Sequence, residues 1–220
     1  MKALRIALAI AAITAASQAQ AVGVGVRAGT TGIGGDIGFS IAPTLLARVG
    51  YSYLNYSNNV EVTDVKYDGK LKLSNGSLLL DWSPLGPFRI TGGLILNDNK
   101  VDVTGTPTGS SYTINGNTYP AAAVGTLNGT VKAGNKAAPY LGIGYGNVAT
   151  SGVNFYFDLG VVFQGTPKAE LSANCGSAIV GTPACSQLQS DVAAEQAKLG
   201  DELKKFQYYP VANIGLTIGF

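Results

Sequence analysis

The sequence predicts an all-β fold: an eight-stranded antiparallel transmembrane up-and-down β-barrel, with one helix in the last extracellular loop. Three observations predict it. Apolar residues recur with period two from Val22 to Phe220, which is the strand period. Apolar character is spread thinly over a chain with 30 glycines and 11 tyrosines, at a mean hydropathy of +0.20 that is high for a soluble protein. Beyond the first 21 residues, no window offers 18 consecutive apolar residues, so helical spans are not expected.

The chain opens with Lys2 and Arg5, an apolar stretch from Ala3 to Ala16 and the small-residue site Ala19-Gln20-Ala21. This pattern predicts a secretory signal peptide over 1–21 and a barrel domain over 22–220. An apolar core of about 14 residues is short for a membrane anchor. Removing Lys2 and Arg5 leaves 13 basic against 13 acidic residues, so the mature chain is formally neutral and nothing is built to grip nucleic acid.

The first strand, 22–28, sets Val22, Val24, Val26 and Ala28 against Gly23, Gly25 and Arg27. The second, 33–41, sets Ile33, Ile37, Phe39 and Ile41 against Gly34, Asp36, Gly38 and Ser40. In the third, 45–56, Ala47, Val49, Tyr51 and Tyr53 oppose Arg48, Gly50 and Ser52. A polar loop is expected over 57–68. The fourth strand, 70–82, opens in Lys-Leu alternation and ends in Leu78-Leu79-Leu80-Asp81, which predicts a phase slip at a bulge near Asn75-Gly76. In the fifth, Phe88, Ile90, Leu94 and Leu96 oppose Arg89, Thr91, Gly93 and Asn97.

Residues 104–136 are expected to be a long polar loop, with a small hairpin at Tyr112 to Tyr119 about the Asn115-Gly116 pair that a type I′ turn requires. The sixth strand places Leu141, Ile143 and Tyr145 against Tyr140, Gly142, Gly144 and Gly146. The seventh alternates Val153, Phe155, Phe157, Leu159, Val161 and Phe163 with Asn154, Tyr156, Asp158, Gly160 and Gln164. Cys175 and Cys185 share one polar stretch of an exported chain, so a disulfide between them is expected. A helix is expected over 186–205, with Leu188, Val192, Leu199 and Leu203 on its apolar stripe and Asp191, Glu195 and Lys198 on its solvated face. The last strand sets Ala212, Ile214, Leu216, Ile218 and Phe220 against Asn213, Gly215, Thr217 and Gly219.

Short turns at 42–44, 83–87 and 147–151 belong on the periplasmic side and the long loops outside. Phe39, Trp82, Phe88, Tyr145, Phe155 and Phe220 would form a lower aromatic girdle, and Tyr51, Tyr53, Phe163 and Tyr209 an upper one. The signal peptide, the alternating segments and the final Ala-Asn-Ile-Gly-Leu-Thr-Ile-Gly-Phe together resemble the OmpA-like/OmpW-like small outer-membrane β-barrel families. The resemblance implies residence in the outer membrane of a Gram-negative-type bacterium, in contact with outer-membrane lipid and lipopolysaccharide. It also implies that Ile214, Leu216, Ile218 and Phe220 form the signal read by the barrel-assembly machinery. The sequence ends at Phe220, so the peptidoglycan-binding part of the OmpA function is not expected here.

The inward faces, read in strand order, carry Arg27, Asp36, Arg48, Asp81, Arg89 and Asp158. An eight-stranded interior is wide enough only for side chains, so these six are expected to form a neutral ion-pair network that plugs the lumen. The alternative is a narrow channel for ions or small polar solutes, gated by the same pairs. The chain has no histidine, which removes catalysis by a histidine general base and leaves a lipid-modifying enzyme poorly supported. No catalytic residue, cofactor or metal is expected, and the sequence does not specify a partner for the outer loops.

Overall fold

Strict alternation of apolar and small polar residues gives strands with two chemically different faces, and a sheet with one apolar face has to cover it or close on itself. The computed structural model describes residues 21–62, 65–107 and 111–220; the expected signal peptide lies outside them apart from Ala21. The strands are β1 (Val22–Gly29), β2 (Gly32–Ala42), β3 (Leu45–Val62), β4 (Val65–Leu85), β5 (Phe88–Asn97), β6 (Lys100–Pro107) and β7 (Ser111–Ile114). They continue with β8 (Asn117–Pro120), β9 (Val124–Lys132), β10 (Ala137–Tyr145), β11 (Gly152–Phe163), β12 (Lys168–Cys175) and β13 (Tyr208–Gly219). One α-helix, α1, covers Pro183–Leu203 and runs into a 3-10 turn at Lys204–Phe206. Among the described residues no helix is long and apolar enough to cross a membrane, which says nothing about strands.

Eight strands form a closed antiparallel ring in the order β1-β2-β3-β4-β5-β10-β11-β13, and β13 returns to β1 from Gly23↔Gly219 to Gly29↔Asn213. The ring is apolar outside and polar inside. Val24, Ile37, Leu80, Ile90, Ile143, Leu159 and Leu216 point outward and are 43–61 % exposed. At the lower end, Tyr145 packs edge-on against Phe88 with ring centroids 5.2 Å apart and stacks on Phe157 at 6.1 Å.

Several elements differ from the sequence reading. The predicted bulge at Asn75-Gly76 does not occur: β3 and β4 stay in register from Leu45↔Trp82 to Val62↔Val65, and the shift against β5 lies between Trp82 and Leu85. Leu73 and Leu79 instead point inward while Leu78 and Leu80 point outward, because the interior accepts apolar side chains above its charged layer. The expected 57–68 loop is largely strand, since β3 and β4 have 18 and 21 residues, or about 60 and 70 Å of extended chain. Tyr209 turns inward, and its hydroxyl donates to the Thr30 carbonyl at 2.5 Å. The neighbour Tyr208 takes the outer position against Phe163, centroids 5.6 Å apart.

The long polar stretches also hold strands. Beyond the ring, the upper part of β4 pairs with β6, β6 with β9 and β9 with β12. One face of this extension is covered by α1 and the β7–β8 hairpin, around a core of Tyr112, Ile114, Val124, Ala173, Leu188 and Val192. The hairpin turns on Asn115 (φ 51°) and Gly116 (φ 81°), as its Asn-Gly pair requires. Cys175 at the end of β12 is bonded to Cys185 in the first turn of α1, with Cα atoms 5.7 Å apart. Closing so short a loop stabilises the cap by roughly 2–3 kcal/mol. Replacing both cysteines by serine is therefore expected to raise hydrogen exchange in α1 and β12 and leave the ring strands unchanged, as read by exchange mass spectrometry.

Candidate functional site

The register brings all six inward charges into one buried region, each no more than 5 % exposed. On β1 and β2, the Arg27 Nη1 donates to Asp36 Oδ1 at 2.5 Å, and Arg27 Nη2 reaches Ser77 Oγ at 3.4 Å. A second group joins β3, β4, β5 and β11. Arg48, which has no exposed surface, forks onto Asp158 through Nη1 at 2.7 Å and Nη2 at 3.1 Å. Its Nη2 also donates to Asp81 Oδ1 at 3.1 Å, and its Nε lies 2.9 Å from Asp81 Oδ2 as an ion pair without hydrogen-bond alignment. Arg89 donates from Nη2 to Asp158 Oδ1 at 2.5 Å and sits 3.6 Å from Asp81 through Nε. Its Nη1 donates to the carbonyls of Tyr145 and Gly146 and its Nη2 to that of Phe157, while its Nε makes no hydrogen bond among the described residues. Thr91 donates to Asp81 at 2.6 Å.

Tyr156 joins the two groups. Its hydroxyl donates to Asp36 Oδ2 at 2.5 Å, while its ring lies 5.6 Å from the Arg48 guanidinium and 5.4 Å from that of Arg89. Both cations gain from the ring quadrupole in a site closed to water. The sequence reading placed Tyr156 on the correct face without giving it a role; the available signal was its position between Asn154 and Asp158 on the polar face of β11. Glycines make the room: a side chain at Gly144 would meet Arg89 Cζ at 2.8 Å, and one at Gly215 would meet the Tyr156 ring.

The cluster is bounded above and below by apolar layers. Above it, Leu79, Ile95, Ala138, Tyr140, Val162 and Val211 pack together, with Tyr209 against them. The short β1–β2 turn also bends in, and the buried Thr31 carbonyl accepts from Ser52 Oγ and Asn75 Nδ2, each at 3.0 Å. Below it, Val148 and Ala149 of the β10–β11 turn are buried together with Leu46. Three arginines against three aspartates make the cluster neutral, and each carboxylate has an arginine within 3 Å. Such pairs repay their desolvation only when their hydrogen bonds are nearly complete.

Ile214, Leu216 and Ile218 lie on the outer face of β13, 47–51 % exposed, and Phe220 is 74 % exposed. Asp191, expected on the solvated face of α1, is instead 4 % exposed. Its carboxylate accepts from the Tyr119 hydroxyl, from Asn117 Nδ2 at 2.8 Å, from Asn115 Nδ2 at 3.1 Å and from Gln187 Nε2 at 3.3 Å. The sequence pattern of the helix does not show this, because three of the four donors come from a hairpin more than 70 residues earlier.

The bond from Tyr119, then those from Asn117 and Asn115, hold the Asp191 carboxyl down at about 2. The same bond pushes the Tyr119 hydroxyl up to about 12. A carboxyl lowered on folding stabilises above its unfolded value of about 4 and loses that contribution as pH falls through its folded value. The hairpin is therefore expected to detach from α1 between about pH 4 and pH 2, seen as faster amide exchange in β7 and β8, and Asp191→Asn is expected to flatten that dependence.

No family model matches the chain, and no curated protein matches it. Among solved structures, the chain is similar to the crystal structure of CarO from Acinetobacter baumannii, at 23 % identity and a TM-score of 0.61, over 90 % of this chain and 97 % of that one. It is similar to Acinetobacter baumannii CarO2 at 24 % identity and a TM-score of 0.61, over 91 % and 98 %. It also aligns with a major outer membrane protein from Thermus thermophilus at 16 % identity and a TM-score of 0.43, over 92 % and 100 %. The likeness to the two CarO structures is one of fold.

Proposed function

We propose that the chain is an integral outer-membrane β-barrel with a side-chain-plugged lumen and a structural or surface-interaction role that is not enzymatic. The observation that carries this reading is the neutral, buried Arg–Asp cluster inside a closed ring whose outer face is apolar. In hydrocarbon every backbone donor and acceptor needs a partner, and a closed antiparallel ring provides one without an edge. The apolar layers above and below the cluster support closure, since an ion crossing them would lose its water. The three inward aspartates are held by arginines and by Thr91 and Tyr156, which leaves no free carboxylate to act as a base. The absence of histidine from the sequence agrees with a role outside catalysis.

On this reading the covered extension, with α1 and the hairpin, stands outside the cell and is the surface available to partners. Ile214, Leu216, Ile218 and Phe220 on the exposed face of the last strand are the contact for the barrel-assembly machinery, and outer-membrane lipid surrounds the belt. Purified protein in a planar bilayer is expected to give no steady conductance above the lipid baseline. Steady single-channel steps from the wild-type chain would overturn the plug and favour a narrow channel for small solutes.

A further inference from the structure

Register sets four lysines directly opposite one another on neighbouring strands. Lys72 on β4 faces Lys100 on β6, Lys100 faces Lys132 on β9, and Lys132 faces Lys168 on β12. Directly paired residues share one face of a sheet, and like charges there repel. The repulsion is only partly relieved: Asp102 takes Lys100 at 2.6 Å and Glu170 takes Lys132 at 2.8 Å. Among the described residues no carboxylate lies within 4.0 Å of the Lys72, Lys136 or Lys168 ammonium groups.

The row borders a hollow of about 240 Å³ lined by Lys100, Lys132, Lys136 and Lys168, together with Asp98 and Asn99. Ammonium groups in excess around one hollow are the chemistry of an oxyanion site.

Depth identifies the source of the oxyanion. Tyr51 and Tyr53, exposed on the outer face, pair with Gly76 and Ser74 of β4. Lys72 is two residues beyond Ser74, so the lysine row runs about 7 Å above the upper aromatics, at headgroup level. We infer that this hollow binds a phosphate group carried on an outer-leaflet glycolipid. The inference rests on the outer-membrane reading, because only a membrane at the aromatic belt presents such a phosphate at this height.

The test uses the full mature chain in detergent, with bis-phosphorylated lipid A and its dephosphorylated form as probes and native mass spectrometry as readout. Wild type is expected to bind the phosphorylated probe about tenfold more tightly than the dephosphorylated one, with the preference weakening in high salt. Replacing Lys100, Lys132, Lys136 and Lys168 together by glutamine is expected to remove that preference. Lys136→Gln with Lys168→Gln, both exposed, is expected to weaken it without disturbing the ring. Heat-modifiable gel migration reports the barrel separately: a chain that never shows it fails the outer-membrane reading, whereas a folded chain that binds both probes equally fails only the phosphate site. Displacement of the phosphorylated probe by millimolar inorganic phosphate would overturn the lipid assignment. Retention of full preference by the folded lysine variants would overturn the site.

Discussion

Arg48→Ala is expected to destabilise the ring by about 3–5 kcal/mol, because it leaves the buried carboxylates of Asp81 and Asp158 without their principal partner. Arg48 has no exposed surface, so water cannot replace the lost donors without opening the interior. Arg89 would then face both carboxylates alone, and its Nη1 is already occupied by backbone carbonyls. The shift is read as a lower urea midpoint for loss of the heat-modifiable form. Arg48→Met with Asp81→Asn keeps the Arg89–Asp158 pair and restores neutrality, and is expected to recover more than half of the loss. A cost under about 1 kcal/mol for Arg48→Ala would mean a hydrated cluster, and the plug would have to be abandoned.

Gly50→Val is expected to have a comparable effect through space alone. Gly50 lies under the first ion pair, and a Cβ there would meet the Asp36 carboxylate, Ser77 Oγ at 2.7 Å and Arg27 Nη1 at 3.0 Å. No flexible chain end can yield, since the groups it meets are held to each other. Overpacking of this kind costs about 1–3 kcal/mol, and separating the buried pair adds about 3 kcal/mol. Loss of the heat-modifiable band in Gly50→Val, with Gly69→Val in the upper part of β4 as the control, where an added Cβ meets only the Asn58 carbonyl at 3.6 Å, distinguishes a crowded interior from a generally intolerant strand. A Gly50→Val chain that folds with the wild-type midpoint would mean that the interior is looser than these contacts describe.

The strands of the ring were legible because a face-to-face difference in polarity is written at every second residue. Val153 to Phe163 is the clearest case, and β11 follows it. Arg27, Asp36, Arg48, Asp81, Arg89 and Asp158 could be assigned to one face for the same reason, since alternation decides which side a residue takes. Alternation failed in β4, where inward Leu73 and Leu79 resemble a change of phase. A local pattern cannot distinguish a leucine facing lipid from one facing a dry interior. The end of β6 and all of β9 fall within the expected 104–136 loop because their Thr, Gly and Asn content is that of a turn, and the pairing that makes them strands comes from distant partners, β4 on β6 and β12 on β9.

By itself the sequence determined the alternation, the two faces of the ring strands other than β4 and the start of β13, the Asn-Gly hairpin and the cysteine pair, because each depends on neighbours within a few residues. The tertiary structure decided which charges meet, that Tyr156 stands between two guanidinium groups, that Asp191 is buried under a distant hairpin and that four lysines stand in one row. Those facts depend on strand register and on contacts between residues far apart in the chain. A shift of one residue between neighbouring strands would preserve the composition and change every partner.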